Sequence, residues 1–155
     1  MKKLQVLLIT AIFTLSSNAY TELVEVYTWK AHPGKEVQLL EAFRDAAEIH
    51  EDEGAVVSIE LMNVGSTIGT YQYVLRWDSP LTWGPSKDKL NTSSAWVEFQ
   101  KKYPGSSLGE MSSSLSGINL DQTVKARDFE DPFVYSVQVW EATPGKAQEL
   151  LVNFM

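Results

Sequence analysis

His32 and His50 are the only two imidazoles in this 155-residue chain, so acid–base or metal chemistry near neutral pH would centre on them. His50 falls on the extension of an apolar helix face. There it is either a base or ligand opening into a pocket, or a helix-end imidazole satisfied by a carbonyl or solvent. Its neighbours Glu48, Glu51, Asp52 and Glu53 offer hard-metal oxygens. No loop signature orders them as ligands, so the run reads as a solvated acidic helix end and no metal is assigned. His32 sits in a strand–helix turn and reads as a loop residue. Residues Gly105-Ser106-Ser107-Leu108-Gly109 have the spacing of a nucleophile elbow, which needs a strand before the serine and a histidine after it. A helix end precedes this one and both histidines lie upstream, so it reads as a serine-rich loop. Glu60 and Arg76 belong to one face of two neighbouring strands, where they are expected to pair across the hairpin or to orient a ligand. Tyr71, Tyr73, Trp77, Trp96 and Phe99 form an aromatic set that serves as core or as pocket wall. The residues specify no catalytic centre.

Composition narrows the chemistry further. There is no cysteine, which removes disulfides, thiolate zinc sites, iron–sulfur clusters and cysteine nucleophiles. Glycine-rich nucleotide-binding patterns are also absent. Residues 1–19 read as a secretory leader: Lys2 and Lys3, an apolar run from Leu4 to Leu15, and small residues at Ser17 and Ala19 before Tyr20. Losing the leader leaves 11 of the 13 basic residues against all 20 acidic ones, with no basic stripe. That balance excludes nucleic acid and an anionic membrane surface as main partners. The expected location is periplasmic or extracellular, with no membrane attachment after cleavage.

The elements that must position these residues follow from an internal repeat. Residues 23–43 and 134–154 are identical at nine of 21 positions at an offset of 111, among them Trp29/Trp140, Pro33/Pro144, Gly34/Gly145, Lys35/Lys146, Leu39/Leu150 and Phe43/Phe154. Each copy predicts strand, turn and helix. The first helix is expected from about Gly34 to Glu51, with strands over Ala55–Val64 and Thr70–Asp78 forming a hairpin. Ser79–Asn91 reads as a loop. A second helix starts at Asn91 or Thr92 and carries Trp96, Phe99 and Tyr103 on one stripe. Ser106–Gly117 is ambiguous, with one short helix through Leu108, Met111 and Leu115 as a reading, and the fourth strand is expected over Thr123–Phe129. The result is an α+β, ferredoxin-like βαββαβ unit over residues 20–130, followed over residues 131–155 by the strand and helix of a second unit. That second unit is expected to be completed elsewhere, either because the chain is a fragment, the favoured reading, or by another chain.

These residues resemble the dimeric α/β-barrel superfamily, in its antibiotic-biosynthesis-monooxygenase-like branch. The likeness lies in the strand ending at Trp29 with Pro33-Gly34-Lys35 and the helix through Phe43, in Arg76-Trp77-Asp78-Ser79, and in Ser93, Trp96 and Phe99. The resemblance implies two ferredoxin-like sheets packed face to face, between tandem copies in one chain or between homodimer partners. Members include cofactor-independent monooxygenases, haem-degrading enzymes and many proteins of no known reaction. Haem-degrading members carry a histidine on the second helix, and Asn91–Tyr103 has none, so no cofactor is assigned. The expected function is binding of a small apolar or aromatic molecule, with His50, Glu60, Tyr73, Arg76, Trp77, Trp96 and Phe99 as pocket candidates. One alternative is cofactor-free oxidation of an aromatic substrate held by Trp77, Trp96, His50 and Arg76. Another is a purely structural, assembly role.

Overall fold

Strand β1 (Leu23–Ala31) alternates so that Leu23, Glu25, Tyr27 and Trp29 share one face. Those residues lie opposite Trp77, Leu75, Tyr73 and Tyr71 of β3 (Tyr71–Trp77) in antiparallel register. The structure, a computed structural model, describes residues 21–131 and 134–154; the leader expected over residues 1–19 lies outside them. Strand β2 (Val56–Leu61) pairs with the other edge of β3, and β4 (Gly109–Ile118) pairs with β1, giving the antiparallel order β2-β3-β1-β4. This is the strand order of a ferredoxin-like unit, and the α+β class is as expected.

Helix α1 (Glu36–Asp52) crosses the sheet between β1 and β2 and buries Leu39, Ala42, Phe43, Ala46 and His50, the stripe a 3.6-residue period produces. Gly34 opens the turn before it with φ +77°, a left-handed conformation that costs glycine little. The core lies between α1 and the sheet, with Leu75 and Trp77 almost fully enclosed.

Three expectations are corrected. Ser79–Asn91 is not a loop: α2 occupies Pro80–Thr92. Ser79 and Thr82 form a reciprocal capping box and Pro80 takes the first helical position, so residues that looked like breakers are start signals. Helix α3 (Ser94–Lys102) then follows after a break at Ser93. The fourth strand is Gly109–Ile118 rather than Thr123–Phe129; the latter region holds only a short 3-10 turn at Ala126–Phe129, tied to the end of β3 by Ala126 N–H donating to Asp78 Oδ1 at 3.1 Å. Because every β4 residue after Gly109 is exposed, the strand lacks the apolar alternation by which strands are recognised. Finally, residues 134–140 form no strand, although α4 (Ala147–Phe154) does follow the second Pro-Gly turn. Without neighbouring strands, the backbone groups of that segment have no ladder to join.

Candidate functional site

A cavity of about 320 Å³ opens between the helical layer and the sheet. Its floor is Tyr27 and Trp29 of β1 with Tyr73 and Leu75 of β3. One wall is α1, through Phe43, Ala46 and His50, and the roof is Trp96 and Phe99 of α3 with Tyr103 just beyond it. The roof aromatics are ordered by contact: Trp96 and Phe99 stack with ring centroids 4.9 Å apart and an interplanar angle of 11°, and the His50 ring meets Trp96 edge-on at 5.0 Å.

The polar groups in this apolar space form two clusters. His50 Nδ1 lies 2.8 Å from the Ala46 carbonyl oxygen and 2.9 Å from the Tyr73 hydroxyl. A carbonyl only accepts, so Nδ1 carries the imidazole proton and Nε2 is left as an acceptor. Tyr73 then receives on its oxygen and keeps its own O–H to donate. Burial pushes the His50 pKa below its ordinary value; the Ala46 carbonyl works against that shift, Lys87 adds to it and Glu25 opposes it. His50 is therefore neutral at pH 7. Burial also raises the Tyr73 hydroxyl, with the charge of Glu51 and then Tyr27 adding to the effect, so it is a donor at every physiological pH.

The second cluster was not anticipated. Glu25 stands alone as an acid on the inner face of β1 and is 6% exposed. It accepts from the Lys87 ammonium at 2.7 Å, the Trp83 indole N–H at 2.8 Å and the Tyr27 hydroxyl at 2.8 Å. Burial alone would raise its pKa, but the three donors, Lys87 first, hold it below the ordinary carboxylate range. Lys87 and Tyr27 both line the cavity, so its one nearby ammonium is already neutralised. The signal was present in the sequence: in LVEVYTW, the glutamate takes a position that alternation assigns to the core, and a buried acid needs partners.

Of the seven candidates, His50, Tyr73, Trp96 and Phe99 come together at the cavity. Trp77 lies in the core beside it, 2% exposed, with the Lys87 ammonium 5.3 Å from its ring centroid. Glu60 and Arg76 occupy the opposite face of the sheet and do not pair with each other. The register sets Glu60 against Gln72 and Arg76 against Val56, too far along the hairpin for a cross-strand pair. Arg76 instead donates to Glu22 at 2.9 Å and stacks on Phe129 at 3.6 Å, while Glu60 accepts from Ser58 at 2.9 Å and from the Tyr135 hydroxyl. His32 bonds the Ser106 carbonyl oxygen at the surface, and Ser107 ends a 3-10 turn rather than a strand. Among the described residues, no three His, Asp or Glu side chains converge as a metal site.

Fold and site together describe an α+β protein with a ferredoxin-like antiparallel sheet and an aromatic cavity between helices and sheet. Solved structures share that fold. An uncharacterized NIPSNAP-like domain protein from Burkholderia xenovorans superposes with a TM-score of 0.52 at 14% identity, over 77% of this chain and 97% of its own. Two NIPSNAP family proteins from Agrobacterium tumefaciens, one of unknown function, give TM-scores of 0.50 at 18% and 21% identity; each match spans 64% of this chain, and 87% and 91% of theirs. No protein-family model matches the sequence, and no curated protein matches it.

Proposed function

We propose that this chain is an exported protein that binds a small, uncharged, apolar or aromatic molecule in the cavity. The observation that carries the reading is the combination of about 320 Å³ of aromatic-lined space with a neutral hydrogen-bonding pair, Tyr73 and His50. An ionic ligand would find no free counter-charge there, because Lys87 is paired with Glu25. The oxidative alternative loses two of its four residues, since neither Trp77 nor Arg76 lines the cavity. Export rests on the leader pattern of residues 1–19, and no described helix is long and apolar enough to cross a membrane. A second ferredoxin-like unit, from the same chain or a homodimer partner, is the expected cover for the far face of the sheet.

The test uses protein recovered after export, expected to begin at Tyr20, and titrates it with the neutral fluorophore N-phenyl-1-naphthylamine. Saturable one-to-one binding is expected, together with quenching of tryptophan emission from Trp29 and Trp96. Ala46→Phe, which fills the cavity, abolishes binding while leaving the circular dichroism spectrum intact, and Ala42→Leu weakens it. Binding that ignores both substitutions would show that the probe sits elsewhere and would sink the reading. Ultracentrifugation of the same sample reads whether two chains associate.

A further inference from the structure

We propose that α3 is a latched lid over the cavity, and that release of a latch on Asp45 sets the rate at which ligand enters and leaves. This rests on the reading of the cavity as the binding site and concerns how that site is controlled.

Helix α3 has no buried residue, yet it supplies the roof through Trp96 and Phe99. Both of its ends are places where the backbone can turn. Ser93, between α2 and α3, is extended (φ −71°, ψ 121°) and serves as C-cap of one helix and N-cap of the next. Beyond Tyr103, Pro104 is again extended and Gly105 has φ +48°. The other walls belong to the hydrogen-bonded sheet, to α1, which is packed into the core, and to α2, whose Leu90 is buried and whose Lys87 is tied to Glu25, so α3, with no buried residue, is the wall that can move at least cost.

A second space, of about 300 Å³ and more open to solvent, lies between α1 and α3 and is bordered by Asp45, Ile49, Ala95, Glu98, Phe99 and Lys102. Helix α3 therefore does not seat fully on α1. Phe99 borders both spaces, so its ring is the partition between an outer groove and the inner cavity. Displacing α3 with Phe99 joins the two into a path from solvent to His50.

What holds α3 down on this side is Asp45. Its Oδ2 accepts from the Lys102 ammonium at 2.7 Å and from the Tyr103 hydroxyl at 2.8 Å, gripping the C-terminal end of the lid. The side chains of Asp45 and Lys102 are 41% and 64% exposed, so water and salt can compete for the bond. An exposed ion pair holds weakly, as a latch that must open has to. At the other end, the edge contact of Trp96 with His50 is not directional enough to fix the helix alone.

The experiment is stopped-flow binding of N-phenyl-1-naphthylamine to the full chain. Asp45→Asn and Lys102→Gln are expected to raise the association and dissociation rate constants together, by about two- to fivefold, the scale of one exposed ion pair, with the Kd little changed. Salt at about 0.5 M, where screening is short-ranged, should speed the unmodified protein in the same way and leave Asp45→Asn unaffected. The chain has no cysteine, so Asp45→Cys with Lys102→Cys gives a unique pair for a short, reducible bis-thiosulfonate cross-link. Cross-linked protein should trap or exclude the probe until reductant is added. Rate constants of Asp45→Asn equal to those of the unmodified protein, or free exchange in the cross-linked protein, overturn the lid while the binding reading stands. No saturable binding to the unmodified protein overturns both.

Discussion

His50 joins three elements at one ring: its own helix through the Ala46 carbonyl, β3 through Tyr73 and α3 through Trp96. Its protonation is therefore a stability term. Burial lowers its folded pKa below the unfolded value of about 6.5. As pH falls through 6.5, the unfolded chain takes up a proton that the folded chain refuses, so stability is full above that value and declines below it. Glu25 and Asp45, both held low in the fold, keep their contributions until pH falls to the carboxylate range, below the window in which His50 acts. The urea midpoint is expected to fall across that window more steeply in the unmodified protein than in His50→Phe, which keeps an aromatic ring against Trp96. Equal slopes in the two proteins would contradict this assignment. His50 and its roof partners were legible as sequence because helical spacing places His50 on the apolar stripe of α1 and Trp96 and Phe99 on that of α3. The core-facing position of Glu25 was legible too, but its partners were not, since Lys87 and Trp83 lie in a segment whose composition reads as loop.

At the scale of elements, the sequence is readable wherever an apolar period survives and opaque where it does not. The stripe on α1 and the alternation in β1 and β3 announce themselves. The helix α2 hides because it contains Pro80, Gly84 and Pro85 and buries only Ser86 and Leu90. Pro80 is harmless at the helix start, whereas Pro85 forfeits one backbone bond. The strand β4 hides for a different reason: it is an edge strand of serines whose place is fixed by β1 rather than by its own burial. Its anchor is Gly109, the strand's one buried residue, which lies against the end of β1. A Cβ at that position would stand 2.6 Å from the Lys30 carbonyl oxygen and 3.3 Å from Leu39 Cδ2. Because the Lys30 carbonyl and the Ala31 Cα, 3.2 Å away, are both backbone, relief requires β4 to shift away from β1. Gly109→Ala is therefore expected to lose about 1–3 kcal/mol in urea unfolding. Gly117→Ala, in the same strand with open space around it, is expected to lose no more than a few tenths. Equal effects would show that β4 is not held where the register puts it.

For the whole molecule, the repeat sets one sequence pattern in two environments. The turn is reproduced bond for bond. Lys35 N–H donates to the His32 carbonyl and Leu39 N–H to that of Lys35, and at the offset of 111 Lys146 N–H donates to Thr143 and Leu150 N–H to Lys146. Gly34 and Gly145 share a left-handed φ of 77° and 81°. Local sequence thus suffices for turn and helix, whose bonds close within a few residues. The strand is another matter: LVEVYTW is locked between β3 and β4, whereas VYSVQVW lies exposed, Val139 at 85%. A strand's hydrogen bonds belong to its neighbours, so no intrinsic preference can form one alone. Hydrogen exchange read by mass spectrometry separates the two directly. Peptides over residues 23–29 are expected to stay protected for hours, because their amides open only with the sheet. Peptides over residues 134–140 are expected to exchange within seconds. Matching protection in the two would mean that the second copy finds partner strands in solution, and that the difference between the copies lies in the company available to each rather than in their sequences.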